Sequence, residues 1–358
     1  MAKLRAFRLA AAIIPFIPLW LAYPAARLIG RLVWAFEGER RRLVERNLRH
    51  IPTLVDDPVA LHRAARGVFE HMTLNYLDFL RGPHLTPKQV LAGWTTEGEE
   101  LITELIGQGR GLIVVSAHFG NFEYGASRLG AIGYRMTTPV ERMRPEALYE
   151  WFRKTREHHN LHVLPADSRE TLRAMKGALE RNELVLVAAD RYIIGSSIEA
   201  PFFGEPARLP TSPFALALKT GAPIVASFSW RLGRGRSHGV VIPLDVQPKQ
   251  DAEGRQGRQD GQPRSEDGTA RAVRTYVEQL ERLIIAHPEQ WVSTLEPIWD
   301  VKSANDAQGA HRVKDARKDA RAEKHPQRST NAVTEATADT APAGQTGTQA
   351  GQSTVPST

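Results

Sequence analysis

Three short, uninterrupted apolar runs constrain the fold of this chain more than any other feature: Gly111–Ala117 (GLIVVSA), Leu184–Ala189 (LVLVAA) and Pro223–Trp230 (PIVASFSW). Continuous apolar character over so few residues reads as a strand covered on both faces. Between and around them, helices are predicted at about Pro145–Glu157, Ser168–Arg181 and Ser212–Thr220. Strands alternating with helices imply an α/β fold, a mainly parallel sheet flanked by helices. A further helix over Thr269–Ala286 closes the domain, and His287–Trp299 (HPEQWVSTLEPIW) follows it as an apolar strap.

The amino-terminal region follows another pattern. Leu9–Ala26 carries no charge over 18 residues and lies between Lys3, Arg5, Arg8 and Arg27, Arg31. As a helix it would span about 27 Å, just short of a bilayer core. Pro15, Pro18 and Pro24 interrupt it, so the expected membrane-anchor helix could be kinked, re-entrant or interfacial instead of crossing cleanly. The alternative is a helix packed on the body of the chain. From Glu37 to Arg81 the pattern is helical, with Arg40, Arg41, Arg42 and Arg46 interleaved with Leu43, Val44 and Leu48.

Charge supports the membrane reading. The first 50 residues hold ten Lys and Arg against three Asp and Glu, the whole of the formal net charge of +7. A basic excess confined to one apolar end suits an anionic membrane surface and not a nucleic-acid groove. The chain has no cysteine, which excludes thiolate, disulfide and iron–sulfur chemistry. Residues 247–268 read as a solvated loop, and beyond Asp300 the composition turns to Ala, Thr, Gln, Lys and Asp without periodicity. The expected division is a membrane anchor over 1–36, a domain over 37–300 and a disordered tail over 301–358.

Candidate chemistry sits just after the first apolar run, in Ser116–Gly125 (SAHFGNFEYG). Strand, tight loop, helix is where α/β proteins place catalytic groups. His118 falls in the loop and Glu123 in the first helical turn. On one continuous helix the two would point about 140° apart, so pairing them needs the bend. With the bend, Glu123 can orient the imidazole and leave its other nitrogen as a general base. The competing structural reading is a helix-capping histidine and a first-turn carboxylate favoured by the dipole. His158, His159 and His162 include an i, i+4 pair, but no third ligand converges on it, so no metal is expected.

HFGNFE resembles the HxGNxE/D motif, with Asn121 in its Asn position, of the bacterial lipid A biosynthesis lauroyl/myristoyl acyltransferase family, itself glycerolipid-acyltransferase-like. The resemblance extends, in order, through Pro139–Arg156, Ala188–Pro210, Ala215–Val225 and HPEQW, over roughly residues 5 to 300. It implies transfer of a fatty acyl group from acyl-carrier protein or acyl-CoA to a hydroxyl of a membrane glycolipid. No metal, cofactor or covalent acyl-enzyme is implied, and the work would be done at the cytoplasmic side of the inner (plasma) membrane. Catalysis would fall to His118 as base and Glu123 as its orienting acid. Arg142 and Arg144 match the block where an arginine faces an anionic substrate, as a guanidinium fork suits a phosphate. Asp190 and Arg191 end the second apolar run at the sheet edge where a pocket should open, or form an ion pair of purely structural value. Phe202, Phe203 and Gly204 resemble the block flanking the acyl pocket, although core packing also explains paired phenylalanines.

Two departures concern the acceptor. The apolar and acidic WVSTLEPIW, and the DRY and GEPARLP runs, resemble the phosphatidylinositol mannoside acyltransferases more than the enterobacterial lipid A enzymes. The acceptor is therefore lipid A precursor-like or phosphatidylinositol mannoside-like. A catalytically silent membrane scaffold, or a thioesterase or hydrolase using the same base on water, are the readings that compete with transfer.

Overall fold

A computed structural model describes residues 2–246 and 268–299. The 247–267 loop and the expected disordered tail lie outside the described residues.

Four helices come first: α1 (Ala2–Ile13), α2 (Leu19–Phe36), α3 (Gly38–Leu48) and α4 (Pro58–Arg81). The expected anchor stretch is not one continuous helix. Pro15 and Pro18 break the apolar stretch into two helices joined by a 3-10 turn, and among the described residues no helix is long and apolar enough to cross a membrane. Instead α2 packs on α4. Gly30 lies at their crossing, where a Cβ would come within 2.7 Å of Glu70 Cα, and Thr73 donates to the Ala26 carbonyl at 2.7 Å. Arg31 binds Glu70 at 2.7 Å. The buried positions Ala22, Ala26 and Gly30 recur every four residues on one face of α2. Trp20, Leu28, Ile29, Leu32 and Phe36 stay exposed.

The α/β body then alternates. It runs α5 (Pro87–Leu91), β1 (Trp94–Glu97), α6 (Glu100–Ile106), β2 (Leu112–Ser116), α7 (Phe122–Ile132), β3 (Met136–Val140), α8 (Glu146–Arg156), β4 (Leu161–Pro165), α9 (Arg169–Glu180) and β5 (Leu184–Ala188). A hairpin of β6 (Ser197–Phe202) and β7 (Glu205–Pro210) follows, then α10 (Ser212–Thr220), β8 (Ile224–Gly233), β9 (Arg236–Leu244) and α11 (Gly268–Ala286). Seven strands form one sheet in the order β1-β9-β8-β2-β5-β3-β4. All neighbours are parallel except β8 and β9.

The pleat sorts each central strand between two cores, as a doubly covered sheet requires. Ile113 and Val115 of β2 join Phe214, Phe228, Tyr276 and Trp291 on one face. Leu112 and Val114 join Ile102, Leu129, Leu184 and Val241 on the other.

Candidate active site

The parallel pairing of β2 with β5 sets Ser116 opposite Ala188, so the loops leaving the two strands start side by side. His118 stands on one and Asp190 on the other. The His118 loop turns sharply through Gly120, at φ +62°, where a Cβ would lie 1.9 Å from the Ser229 carbonyl oxygen. No other residue fits that approach. Asn121 ties the loop to β9, its buried Nδ2 donating to Ser237 Oγ at 2.6 Å.

Asp190 is wholly buried, and its Oδ1 lies 2.9 Å from His118 Nδ1. Its Oδ2 accepts from the His118 backbone N–H at 3.1 Å, from Trp291 Nε1 at 3.2 Å and from Ser293 Oγ at 2.5 Å. Burial alone would raise this carboxyl, but the neighbouring charge of His118 and the hydrogen bonds from His118 and Ser293 outweigh it and hold it at about 2. The carboxylate is therefore ionised at neutral pH. Being an acceptor only, it fixes the proton of His118 on Nδ1 and leaves Nε2 as the basic nitrogen.

The Glu123 carboxylate is held by Arg156 and not by the His118 ring. Both of its oxygens accept from Arg156, Oε2 from Nε at 3.1 Å and Oε1 from Nη2. Arg156 comes from the last turn of α8, and its guanidinium also lies over the Phe79 and Phe152 rings at 5.2 and 5.7 Å. Placed in the first turn of α7, Glu123 turns to the guanidinium, and the imidazole takes its carboxylate from the neighbouring strand's loop instead.

His118, Glu123 and Arg156 line a cavity of about 710 Å³. The sheet contributes Val114, Ser116, Leu186, Ser227, Gly239 and Val241, and α7 contributes Phe122, Gly125, Ala126 and Leu129. Leu172, Met175, Ile193 and Ile194 also line the cavity, as do Arg142 and Arg191. Arg142 pairs with Asp167 and Glu146, each at 3.2 Å, and Arg191 with Glu141 at 3.2 Å. Asp190 and Arg191 thus do not pair with each other. Arg144 is exposed and outside the cavity wall. Phe202 is buried in the core against Trp291 and Trp299, at 5.3 and 5.5 Å, and neither it, Phe203 nor Gly204 lines the cavity. Phe203 and Gly204, both at positive φ, make the two-residue turn from β6 to β7. His158 and His162 do not share a helix, because α8 ends at Arg156 and His162 is in β4. Among the described residues no group of His, Cys, Asp and Glu is placed to hold a metal.

Residues 6–297 match the family of bacterial lipid A biosynthesis acyltransferases. The chain belongs to that family. The acyltransferase is 27% identical to a phosphatidylinositol mannoside acyltransferase of Mycobacterium tuberculosis, over 72% of this chain and 76% of that one. It is 32% identical to the enzyme of that name from Mycolicibacterium smegmatis over 140 residues, 38% of this chain and 46% of the relative. The lipid A biosynthesis lauroyltransferase of Escherichia coli is 27% identical over 62% of this chain and 72% of its own. Arg156, Trp291 and Ser293 were not singled out in the sequence of this acyltransferase. Arg156 closes one of the family-like blocks, and Trp291 and Ser293 sit in the strap, where their polar groups were hidden among apolar neighbours.

Proposed function

We propose that this acyltransferase carries a fatty acyl group from the thioester of acyl-carrier protein or coenzyme A to a hydroxyl of a membrane glycolipid, with His118 as general base. The observation that carries the reading is the His118–Asp190 pair at the wall of a largely apolar cavity. In the first step the acceptor hydroxyl gives its proton to His118 Nε2 as its oxygen attacks the thioester carbonyl. The imidazolium that forms is stabilised by the buried carboxylate of Asp190. The tetrahedral oxyanion then collapses, the carbon–sulfur bond breaks, and the thiolate takes the proton back from His118. The products are the ester and the thiol, with no acyl-enzyme and no metal or cofactor required.

The apolar walls beneath α7 suit an acyl chain, and the rim arginines Arg142 and Arg191 suit phosphate groups of donor or acceptor. The names of the mycobacterial relatives favour a phosphatidylinositol mannoside-like acceptor over a lipid A precursor. Exposed apolar side chains on α1 and α2, flanked by Arg5, Arg8, Arg27 and Arg31, favour a protein lying in the cytoplasmic face of the inner membrane without crossing it. Met143 lines the cavity and belongs to the same apolar cluster as Leu4 and Phe7 on the buried side of α1, so α1 packs close to the cavity wall.

Mass spectrometry of membrane lipids from cells making wild-type protein or His118→Ala tests the reading. A glycolipid heavier by one acyl group with the wild type alone, and a rate about 10²–10⁴ lower for the variant, are expected. Release of free fatty acid without an acylated lipid would make the enzyme a hydrolase.

A further inference from the structure

The strap after α11 is packed as a core element, yet its polar groups converge on the catalytic pair. Its backbone brackets the His118 loop: Gly120 N–H donates to the Gln290 carbonyl at 2.9 Å, and Val292 N–H to the His118 carbonyl at 3.0 Å. Gln290 is locked to β8, accepting from the Arg231 N–H at 2.9 Å and donating to the Arg231 carbonyl at 3.1 Å. From that fixed base Trp291 and Ser293 both reach Asp190 Oδ2.

Taking His118 as the base, we infer that Trp291 and Ser293 are positioning residues for catalysis, fixing the Asp190 carboxylate by Oδ2 so that Oδ1 alone meets the His118 imidazole. With the backbone N–H of His118, Oδ2 has three donors, which define the carboxylate plane. Rotation that would offer the wrong oxygen to Nδ1 has to break all three. The strap donors also disperse the carboxylate charge, and so set how strongly it stabilises the imidazolium. Few other charges compete at this spot. Tyr276, buried behind the pair and donating to the Ser116 carbonyl at 2.8 Å, is pushed well above its ordinary range by burial and the charge of Asp190, so it stays neutral. Glu123 and Arg156, which share the cavity wall, are paired with each other.

The test compares full-length wild type, Ser293→Ala, Ser293→Thr, Trp291→Phe and His118→Ala with one acyl-thioester donor, reading kcat, KM, the pH profile of kcat/KM and thermal stability. Ser293→Ala should lower kcat about tenfold, the factor carried by one hydrogen bond to a charged group, with KM little changed. The acid limb should move to higher pH, because a carboxylate with fewer donors holds the imidazolium more strongly. Ser293→Thr, which keeps a hydroxyl, should restore both, and Trp291→Phe should act as Ser293→Ala does, but more weakly. If Ser293→Ala does not fold, Trp291→Phe, which keeps most of the ring volume, decides by the same limb shift. Wild-type kcat and an unmoved acid limb in Ser293→Ala and Trp291→Phe, with His118→Ala inactive, overturn the inference and leave the base intact. So does a rate that falls only in step with melting temperature. Full activity in His118→Ala would instead overturn the reading of the site itself.

Discussion

At Asp190 burial and hydrogen bonding oppose each other, and the outcome sets both chemistry and stability. Its carboxyl drops from 3.8 to about 2 on folding. A depressed folded-state value stabilises the protein above the unfolded value and is lost as pH falls through the folded one. Asp190 should therefore contribute about 2 kcal/mol above roughly pH 4, fading toward pH 2. Asp190→Asn should flatten denaturation midpoints over that interval and lower kcat by about 10²–10⁴, since an amide can present a donor to Nδ1 and favour the wrong tautomer. Glu123→Gln should act differently. It leaves a largely buried Arg156 without its counter-charge, so unfolding measurements should register a loss of about 3–5 kcal/mol while the Asp190 contact to His118 persists. The sequence pointed to both carboxylates but gave the orienting role to Glu123, five positions from His118. The carboxylate that meets the imidazole lies 72 residues away, brought in by strand register, which local spacing does not encode.

Among elements, those buried on both faces were legible, because continuous apolar runs leave little choice. The runs at β2, β5 and β8, and the helices α8, α9, α10 and α11, appear where the sequence placed them. The strand β3 was not read, because Thr137, Thr138 and Pro139 interrupt its apolar character. Nor was β9, whose alternating burial marks a more exposed strand, or the β6–β7 hairpin, whose Phe-Gly turn puts a bulky residue where Asn or Asp is usual. The cavity also depends on choices too small to see in sequence. Ser227, Ser229 and Gly239, on the sheet face under α7, leave space where larger side chains would fill it. Ser227→Leu should therefore shorten the acyl chain accepted by several carbons while His118 remains competent. Product mass spectra from a series of thioesters of increasing length would read this as a shifted optimum with a similar maximal rate.

For the molecule as a whole, the helical layer at the amino terminus explains how a chain with no crossing helix among its described residues could work on lipids. The sequence reading found the apolar stretch and the prolines that interrupt it but not the face it buries, since prolines weaken a helix without saying which side of it the body will cover. Folding commits Ala22, Ala26 and Gly30 to α4 and leaves the opposite side of α2 bare. On that layer Phe16 is 83% exposed, Trp20 66% and Phe36 85%, far more than single scattered side chains on a soluble surface would need. Each such group entering the acyl–headgroup boundary gains about 1.5–3 kcal/mol, and nearby arginines add attraction to anionic lipid. Replacing Phe16, Trp20 and Phe36 together by Asp should weaken partition into anionic vesicles by on the order of 100-fold or more, and added salt should weaken the wild type by screening its arginines. The same protein should keep its rate on a detergent-dispersed acceptor, because none of the three side chains lines the cavity. Equal loss on dispersed and bilayer acceptors would mean that the apolar layer supports the fold of the site and not its access to the membrane.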